Sequence, residues 1–306
     1  MATYDTSVSM LSILSGGTGT PKLLRGFQDS EDISVIVNTA EDVWVSGNKV
    51  TPDIDSVIYT IAGLIDDVKW WGIKGDTFNT FKALEEMGYF EEIMIGDKDR
   101  ATHILRTDLL NSGSTLTDAT RDLCHIFQVK TIVLPMSEYD ISSVIGTPEG
   151  DLHFQDFWVG MRGEPEVTSV RLLGQLIPTP EVMDALNASD NIFIGPSNPI
   201  TSIGPILALE DVRETLQIKF VIAVSPFIGD QPVSGPAAKL MKAKGLEPST
   251  KGVAEFYKDI VDVLIVDIRD KTDLSGYDFE VDRFDTLMTS VEKSKALADF
   301  MLSKCV

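Results

Sequence analysis

Cysteine is nearly absent. Cys124 and Cys305 are the only two among 306 residues, and no Cys-x-x-Cys pair occurs. A disulfide scaffold and a thiolate zinc site are thereby excluded, and a reducing compartment fits. Histidine is almost as scarce: His103, His125 and His153 show no His-x-x-x-His spacing. A transition-metal centre is disfavoured, and any metal should be a hard cation held by oxygen. Basic residues are outnumbered, 26 Lys and Arg against 47 Asp and Glu, for a formal net charge of -21. That field repels nucleic acid and anionic membrane surfaces. It leaves room for a small phosphorylated ligand, which backbone amides, a few basic side chains and a metal can hold locally. No apolar run is long enough to span a bilayer. The first residues, MATYDTSVSMLSILSGG, have neither a basic n-region nor a small-residue cleavage site. No signal peptide is expected, and the protein should be soluble and cytoplasmic.

What is present is a core-forming chain, 43% hydrophobic and 24% charged, well outside the disordered range. Residues 1–9 are polar and unpatterned and are expected to be a frayed extension, with Met10 a sensible start. Short, nearly unbroken apolar runs recur at 11–14, 34–37, 131–134, 191–194, 219–224 and 262–267. Continuity instead of alternation marks strands covered on both faces. Segments of helical period lie at 21–28, 55–66, 76–87, 116–127, 180–187, 236–244 and 250–260. This alternation predicts a Rossmann-like α/β fold, a mostly parallel sheet with helices on both faces. Residues 145–177 break the rhythm with short alternating runs, a turn at Glu149-Gly150 and a strand predicted over 153–159. They are expected to form a small antiparallel insertion between an N-terminal half, 10–144, and a C-terminal half, 178–306, of one domain.

The opening strand runs into Gly16-Gly17-Thr18-Gly19-Thr20-Pro21-Lys22. Glycine lets backbone approach a ligand closely, Thr20 is expected to cap the following helix, and Pro21 to begin it. The spacing is neither Gly-x-Gly-x-x-Gly nor a Walker loop ending in Gly-Lys-Ser/Thr. NAD(P) oxidoreductase and standard NTPase readings are weak for that reason. The turn serves either phosphate binding or strand-to-helix packing alone, and its place at the first strand end favours the phosphate. After the second strand comes Asn38-Thr39-Ala40-Glu41-Asp42, then Pro52-Asp53-Ile54-Asp55. Asp53 and Asp55 read equally as helix caps or as a carboxylate pair that binds Mg²⁺ or orients a substrate hydroxyl. Residues 97–106 concentrate Asp97, Lys98, Asp99, Arg100, His103 and Arg106. They form either a solvated helix start or a polar substrate surface, with Asp99, His103 and Arg106 on one helical face. Ser197-Asn198, between Pro196 and Pro199 at the end of a buried run, reads as a ligand loop. Ser234–Lys239 offers amides and an ammonium to an anion, and 227–233 is a candidate lid.

Taken in order, SGGTGTPKLL (15–24), VNTAEDVWVSG (37–47), PDIDSVIYT (52–60), GDTF (75–78), IGDKDRATH (95–103), LPMS (134–137), FQDFWV (154–159), GPSNPITSIGPILAL (195–209), AVSPFIG (223–229), GPAAKLM (235–241) and FDTLM (284–288) resemble the 2-phospho-L-lactate transferase family. The resemblance covers nearly everything after residue 10. It implies a Mg²⁺-assisted enzyme that moves the phospholactyl group of lactyl-2-diphospho-5′-guanosine to the terminal hydroxyl of 7,8-didemethyl-8-hydroxy-5-deazariboflavin. GMP would leave, and the product would be the glutamate-free coenzyme F-420 precursor; some members use an enolpyruvyl donor. A homodimer is implied. So are deazaflavin contacts from Asp53 and Lys98, although the family usually has Arg at the latter, and Lys keeps the charge without the fork. On this basis Asp53 is the expected catalytic residue. Gly16, Gly17, Thr18, Gly19, Thr20, Ser197 and Asn198 are expected to bind nucleotide and phosphate, and Asp53 and Asp55 the metal. A more distant resemblance, to nucleotide-sugar-binding regulatory proteins sharing the glycine-rich and Ser-Asn-Pro segments, implies the alternative of a binding protein without catalysis. The acid pair and FQDFWV favour the enzyme.

Overall fold

The computed structural model describes residues 11–28, 33–233 and 235–305, so the extension expected over 1–9 lies outside the described residues. Chain order is β1 (Leu11–Ser15), α1 (Gly19–Leu24), β2 (Ile33–Val37), the hairpin β3–β4 (Val43–Val45, Asn48–Val50), α2 (Pro52–Ile61), α3 (Asn79–Glu86), α4 (Asp97–Asn111), α5 (Leu116–Ile126) and β5 (Ile132–Pro135). Then come β6 (Ser142–Thr147), β7 (Gly150–His153), β8 (Ser169–Leu173), α6 (Pro180–Ala188), β9 (Asn191–Ile194), α7 (Gly204–Leu207), α8 (Val212–Leu216), β10 (Phe220–Val224) and the hairpin β11–β12 (Phe227–Ile228, Gln231–Pro232). The chain finishes with α9 (Ala237–Ala243), α10 (Thr250–Tyr257), β13 (Val263–Asp267), β14 (Glu280–Phe284) and α11 (Val291–Leu302).

Seven strands make one parallel sheet in the order β14-β13-β10-β9-β1-β2-β5. Its apolar runs are continuous because both faces are covered. Ile13, Val35, Val133, Phe193 and Ile222 enter a core with Leu23, Ile54, Leu123 and Leu297 from α1, α2, α5 and α11. Their neighbours Leu14, Ile36, Leu134, Ile194 and Ala223 enter a second core with Val182, Leu216, Leu240 and Val253 from α6, α8, α9 and α10. Successive side chains point to opposite faces, so a doubly covered strand is mostly apolar, and the buried Ser12 of β1 is accommodated by a hydroxyl pair with Ser189 at 2.8 Å.

A three-stranded antiparallel sheet, β7-β6-β8, packs against the second core. It spans 142–173, starting before the expected 145, and the strand expected over 153–159 ends at His153. Asp156–Gly160 is instead a π-helical turn that buries Phe157. The segment 227–233 is a hairpin tied down by Gly229 N–H to Asp270 Oδ2 (2.8 Å) and Thr250 N–H to the Gly229 carbonyl (2.8 Å).

Candidate active site

From β1 the sheet grows through β2 to β5, and from β9 through β10 and β13 to β14. The crevice between the carboxyl ends of β1 and β9 is therefore the switch point where doubly wound sheets take ligands. Leu14 pairs with Ile194, which sets the glycine turn beside the Ser-Asn-Pro segment. Thr20 N–H donates to Ser197 Oγ at 2.9 Å, and the two hydroxyls lie 2.8 Å apart. Thr20 is thus inside α1, not its cap; the cap position is Thr18. Asn198 Oδ1 accepts from Ile200 N–H (2.9 Å), opening a π-helical turn over Pro199–Ile203. Gly17 has φ +57°, and Gly19 lies so near the Pro196 carbonyl that a β-carbon would overlap it. Gly19→Ala is expected to cost about 2 kcal/mol as an overpacking change, read as a fall in the urea midpoint.

Asp53, in the first turn of α2, joins these segments. Its Oδ1 accepts from Gly17 N–H at 2.8 Å, and its Oδ2 accepts from Asn38 Nδ2 at 2.9 Å. Asn38 Nδ2 also donates to the Thr201 carbonyl at 3.2 Å, while Asn38 Oδ1 accepts from Ala40 N–H at 3.0 Å. One carboxylate and one amide tie together the chain after β1, β2 and β9. Two of the five amides considered for phosphate, those of Gly17 and Thr20, are engaged by Asp53 and Ser197.

Glu41 and Asp42 also belong to this edge, although the sequence reading did not select them. Glu41 is 5% exposed. Its Oε1 and both carboxylate oxygens of Asp42 are buried without a hydrogen-bond partner. The Lys49 ammonium stands 3.6 Å from Asp42. Burial, and then the charge of Asp53, push the Glu41 carboxyl well above its ordinary range. Burial does the same to Asp42, with Lys49 opposing it. Asp53 is raised by burial to about 6, against the hydrogen bonds from Asn38 and Gly17. Crowded carboxyls with orphaned oxygens are stabilised by a cation, and an all-oxygen anionic donor set suits Mg²⁺.

Asp55, expected to share a metal with Asp53, is engaged by two buried cations. Its carboxylate binds the Arg106 guanidinium, whose Nη1 is 3.2 Å from Oδ2, and it lies 3.2 Å from His103 Nε2. Asp99 lies 3.3 Å from His103 Nε2 and accepts from the Tyr59 hydroxyl at 2.9 Å. Asp55, Asp99 and His103 bring their donor atoms within 4.8 Å of one another, with the Arg106 guanidinium already paired to Asp55. Burial lowers the His103 pKa, but Asp55 and Asp99 outweigh it and raise it to about 9. In its protonated form the imidazole, with Arg106, balances the two carboxylates.

The remaining charges of the 97–106 stretch are largely spent on structure. Asp97 accepts from Asn79 and Thr80 N–H at 3.0 and 2.9 Å, at the start of α3. Asp76 in turn accepts from Lys98 and Asp99 N–H at the start of α4. Arg100 pairs with Glu91. Lys98 itself is exposed. The contacts Asp55–Arg106 and Tyr59–Asp99 run antiparallel along α2 and α4. Lys98 therefore lies beyond the Tyr59 level, six residues or about 9 Å along α2 from Asp53. Lys239 is likewise occupied, donating to the carbonyls of Gly163 (2.5 Å) and Glu164 (2.9 Å).

Comparison with known proteins gives the same family from several directions. The model of the family described as 2-phospho-L-lactate transferase CofD matches residues 11–295. The 2-phospho-L-lactate transferase of Methanosarcina mazei is 51% identical over 298 residues, covering 95% of this chain and 98% of that one. That of Methanopyrus kandleri is 47% identical over 295 residues, 94% of this chain and 95% of its own. Among solved structures, a UPF0052-family protein from Bacillus halodurans superposes with a TM-score of 0.66 at 15% identity, over 96% of this chain and 99% of that one. This last likeness concerns the fold alone.

Proposed function

The chain belongs to the 2-phospho-L-lactate transferase CofD family and is a transferase; from that premise we propose that it moves a phospholactyl group from lactyl-2-diphospho-5′-guanosine to the terminal ribityl hydroxyl of 7,8-didemethyl-8-hydroxy-5-deazariboflavin, releasing GMP. The observation that carries this reading is the junction of the glycine turn, Asn38 and Asp53 at the switch point, with Glu41 and Asp42 beside it. The donor's diphosphate sits at the crevice between β1 and β9, against Thr18, Gly19 and the Asn198 segment. The acceptor approaches from the β2–β5 side. There a cavity of about 300 Å³, lined by Thr39, Asp42, Trp44, Lys49 and Tyr139 among others, adjoins the acid cluster. Trp44 is 56% exposed, available to stack on a flat ring.

The acceptor oxygen attacks the phosphorus that bears the lactyl group, the bond to the GMP oxygen breaks, and the hydroxyl proton passes to Asp53. Such a transfer needs alignment and charge neutralisation more than covalent help. Asp53 can accept a proton because its carboxyl, near 6, is ionised at neutral pH yet more basic than an ordinary aspartate. Mg²⁺ would be held by Asp53 and Glu41, with Asp42 next to them, and would supply neutralisation of the diphosphate charge. Lys98, exposed at the start of α4, would contact the far end of the same acceptor.

Turnover should fall at acid pH as Asp53 is protonated, and the fall should move to lower pH as Mg²⁺ is raised, because the cation favours the carboxylate. A rate unchanged down to about pH 4, the ordinary aspartate range, would rule out the carboxylate as proton acceptor. The reading as a whole is tested by mixing protein, Mg²⁺, the deazaflavin and either the lactyl or the enolpyruvyl diphosphoguanosine, then identifying the product by mass. Absence of phospholactyl or phosphoenolpyruvyl deazaflavin with both donors would reject it. A second copy of the chain is the proposed protein partner. Exposed Tyr89, Phe90, Met94, Trp158 and Met161 supply apolar surface for it, and light scattering reads the mass. Among the described residues no helix is long and apolar enough to cross a membrane.

A further inference from the structure

Beside the Ser-Asn-Pro segment lies a cavity of about 250 Å³ whose lining includes none of the residues assigned to the transfer reaction. It forms where β8 of the antiparallel sheet meets α7, α8 and α10. Ile200, Leu207 and Phe256 give it an apolar lining, and Arg171, Arg213 and Lys244 border it. Among the described residues no acidic one lines it, although the chain carries 47 acids against 26 bases. The acids that pair with two of these cations stand outside the wall. Asp151 takes Arg171 at 2.5 Å, and Asp259 takes Arg213 Nε at 2.8 Å. Arg213 is further braced by its bond to the Phe256 carbonyl at 2.9 Å, so its guanidinium is fixed beside the cavity. The Lys244 ammonium has no carboxylate partner among the described residues.

We propose that this cavity is a second ligand site, separate from the transfer site, for a small organic anion with an apolar body, such as an aryl or branched-chain phosphate or carboxylate. The apolar lining takes the body and the three cations take the anionic group. Arg171 and Arg213 keep their carboxylate partners, so the Lys244 ammonium supplies the charge that an anion would neutralise. Occupancy would bear on the active site through one shared wall. Ile200 lines the cavity. Its successor Thr201 accepts from Asn38, and Ser202 packs against Gly16 and Gly17.

The probe is phenyl phosphate, titrated calorimetrically into the full chain beside inorganic phosphate and benzyl alcohol. Saturable binding is expected, about tenfold tighter than for inorganic phosphate because the ring gains apolar burial, with none for benzyl alcohol. Arg171→Ala with Lys244→Ala, both exposed, should weaken it at least about fivefold, and Ala208→Phe should fill the cavity and abolish it. Asp53→Asn should leave it unchanged, which separates this site from the transfer site whatever the fate of the proposed reaction. Amide exchange should slow over residues 198–204 on binding. No saturable binding, equal binding by benzyl alcohol, insensitivity to the cavity variants, loss with Asp53→Asn, or protection confined to other residues would each overturn the proposal.

Discussion

Asp53→Asn is expected to reduce turnover by about a thousandfold, the scale of losing a positioned general base together with a metal ligand. Two losses combine. The neutral amide cannot take the acceptor proton, and it removes the charge that a divalent cation needs. A third effect is geometric. Both oxygens of Asp53 accept hydrogen bonds, from Gly17 N–H and from Asn38 Nδ2. An amide has one acceptor oxygen, so its NH₂ must confront one of those donors. The conflict should cost about 1–2 kcal/mol of stability, far less than the kinetic loss. Steady-state rates beside urea denaturation separate the two. Turnover within tenfold of the parent would remove Asp53 from the chemistry, and Glu41→Gln should then retain Mg²⁺ affinity as well. If the assignment holds, Glu41→Gln weakens Mg²⁺ binding, measured by calorimetry without substrate.

The strands of the sheet interior were legible in the sequence because burial on both faces leaves them unbroken apolar runs: 191–194 is the same in both, and the others differ by one residue at an end. β14 was not legible. It is an edge strand, Glu280–Phe284, with exposed and half-buried positions and no apolar run. α4 escaped for the opposite reason. Its buried face carries Asp99, Arg100, His103 and Arg106, so a search for apolar periodicity passes over it, and its charges resemble a binding surface. The same inversion hid Glu41. A Glu-Asp pair in a turn ordinarily reads as solvated, and nothing in its neighbours signals that the turn folds back over the strand ends. Asp53 and Asp55 show the limit most sharply. Two positions apart on one helix, they lie about 200° apart around its axis. Spacing alone therefore argued against a shared ligand, but only the partners of Asp55 show which acid faces the site.

Those partners make Asp55→Ala the most damaging single change expected for stability, about 3–5 kcal/mol. Arg106 is wholly buried, and Asp55 is the carboxylate its guanidinium pairs with. Burial alone would raise the Asp55 carboxyl, but Arg106 and His103 outweigh it and hold it below its ordinary value. Removing the acid leaves the buried guanidinium without its carboxylate, beside an imidazolium that only Asp99 still balances. Replacing Arg106 by Met in the same chain should recover part of the loss, because the uncompensated charge goes with it. A single variant as stable as the parent would show the pair to be energetically idle. The cluster also sets a pH dependence of opposite sign to that of turnover. Against burial, the two carboxylates raise His103 to about 9 in the folded chain against 6.5 for an ordinary histidine. Its contribution is complete below about 6.5 and is lost as pH rises through 9. Urea midpoints should therefore decline between those values, and His103→Gln should flatten that decline. The transfer reaction, governed by Asp53 near 6, should meanwhile remain on its plateau, so activity at saturating substrate stays constant while the fold loosens.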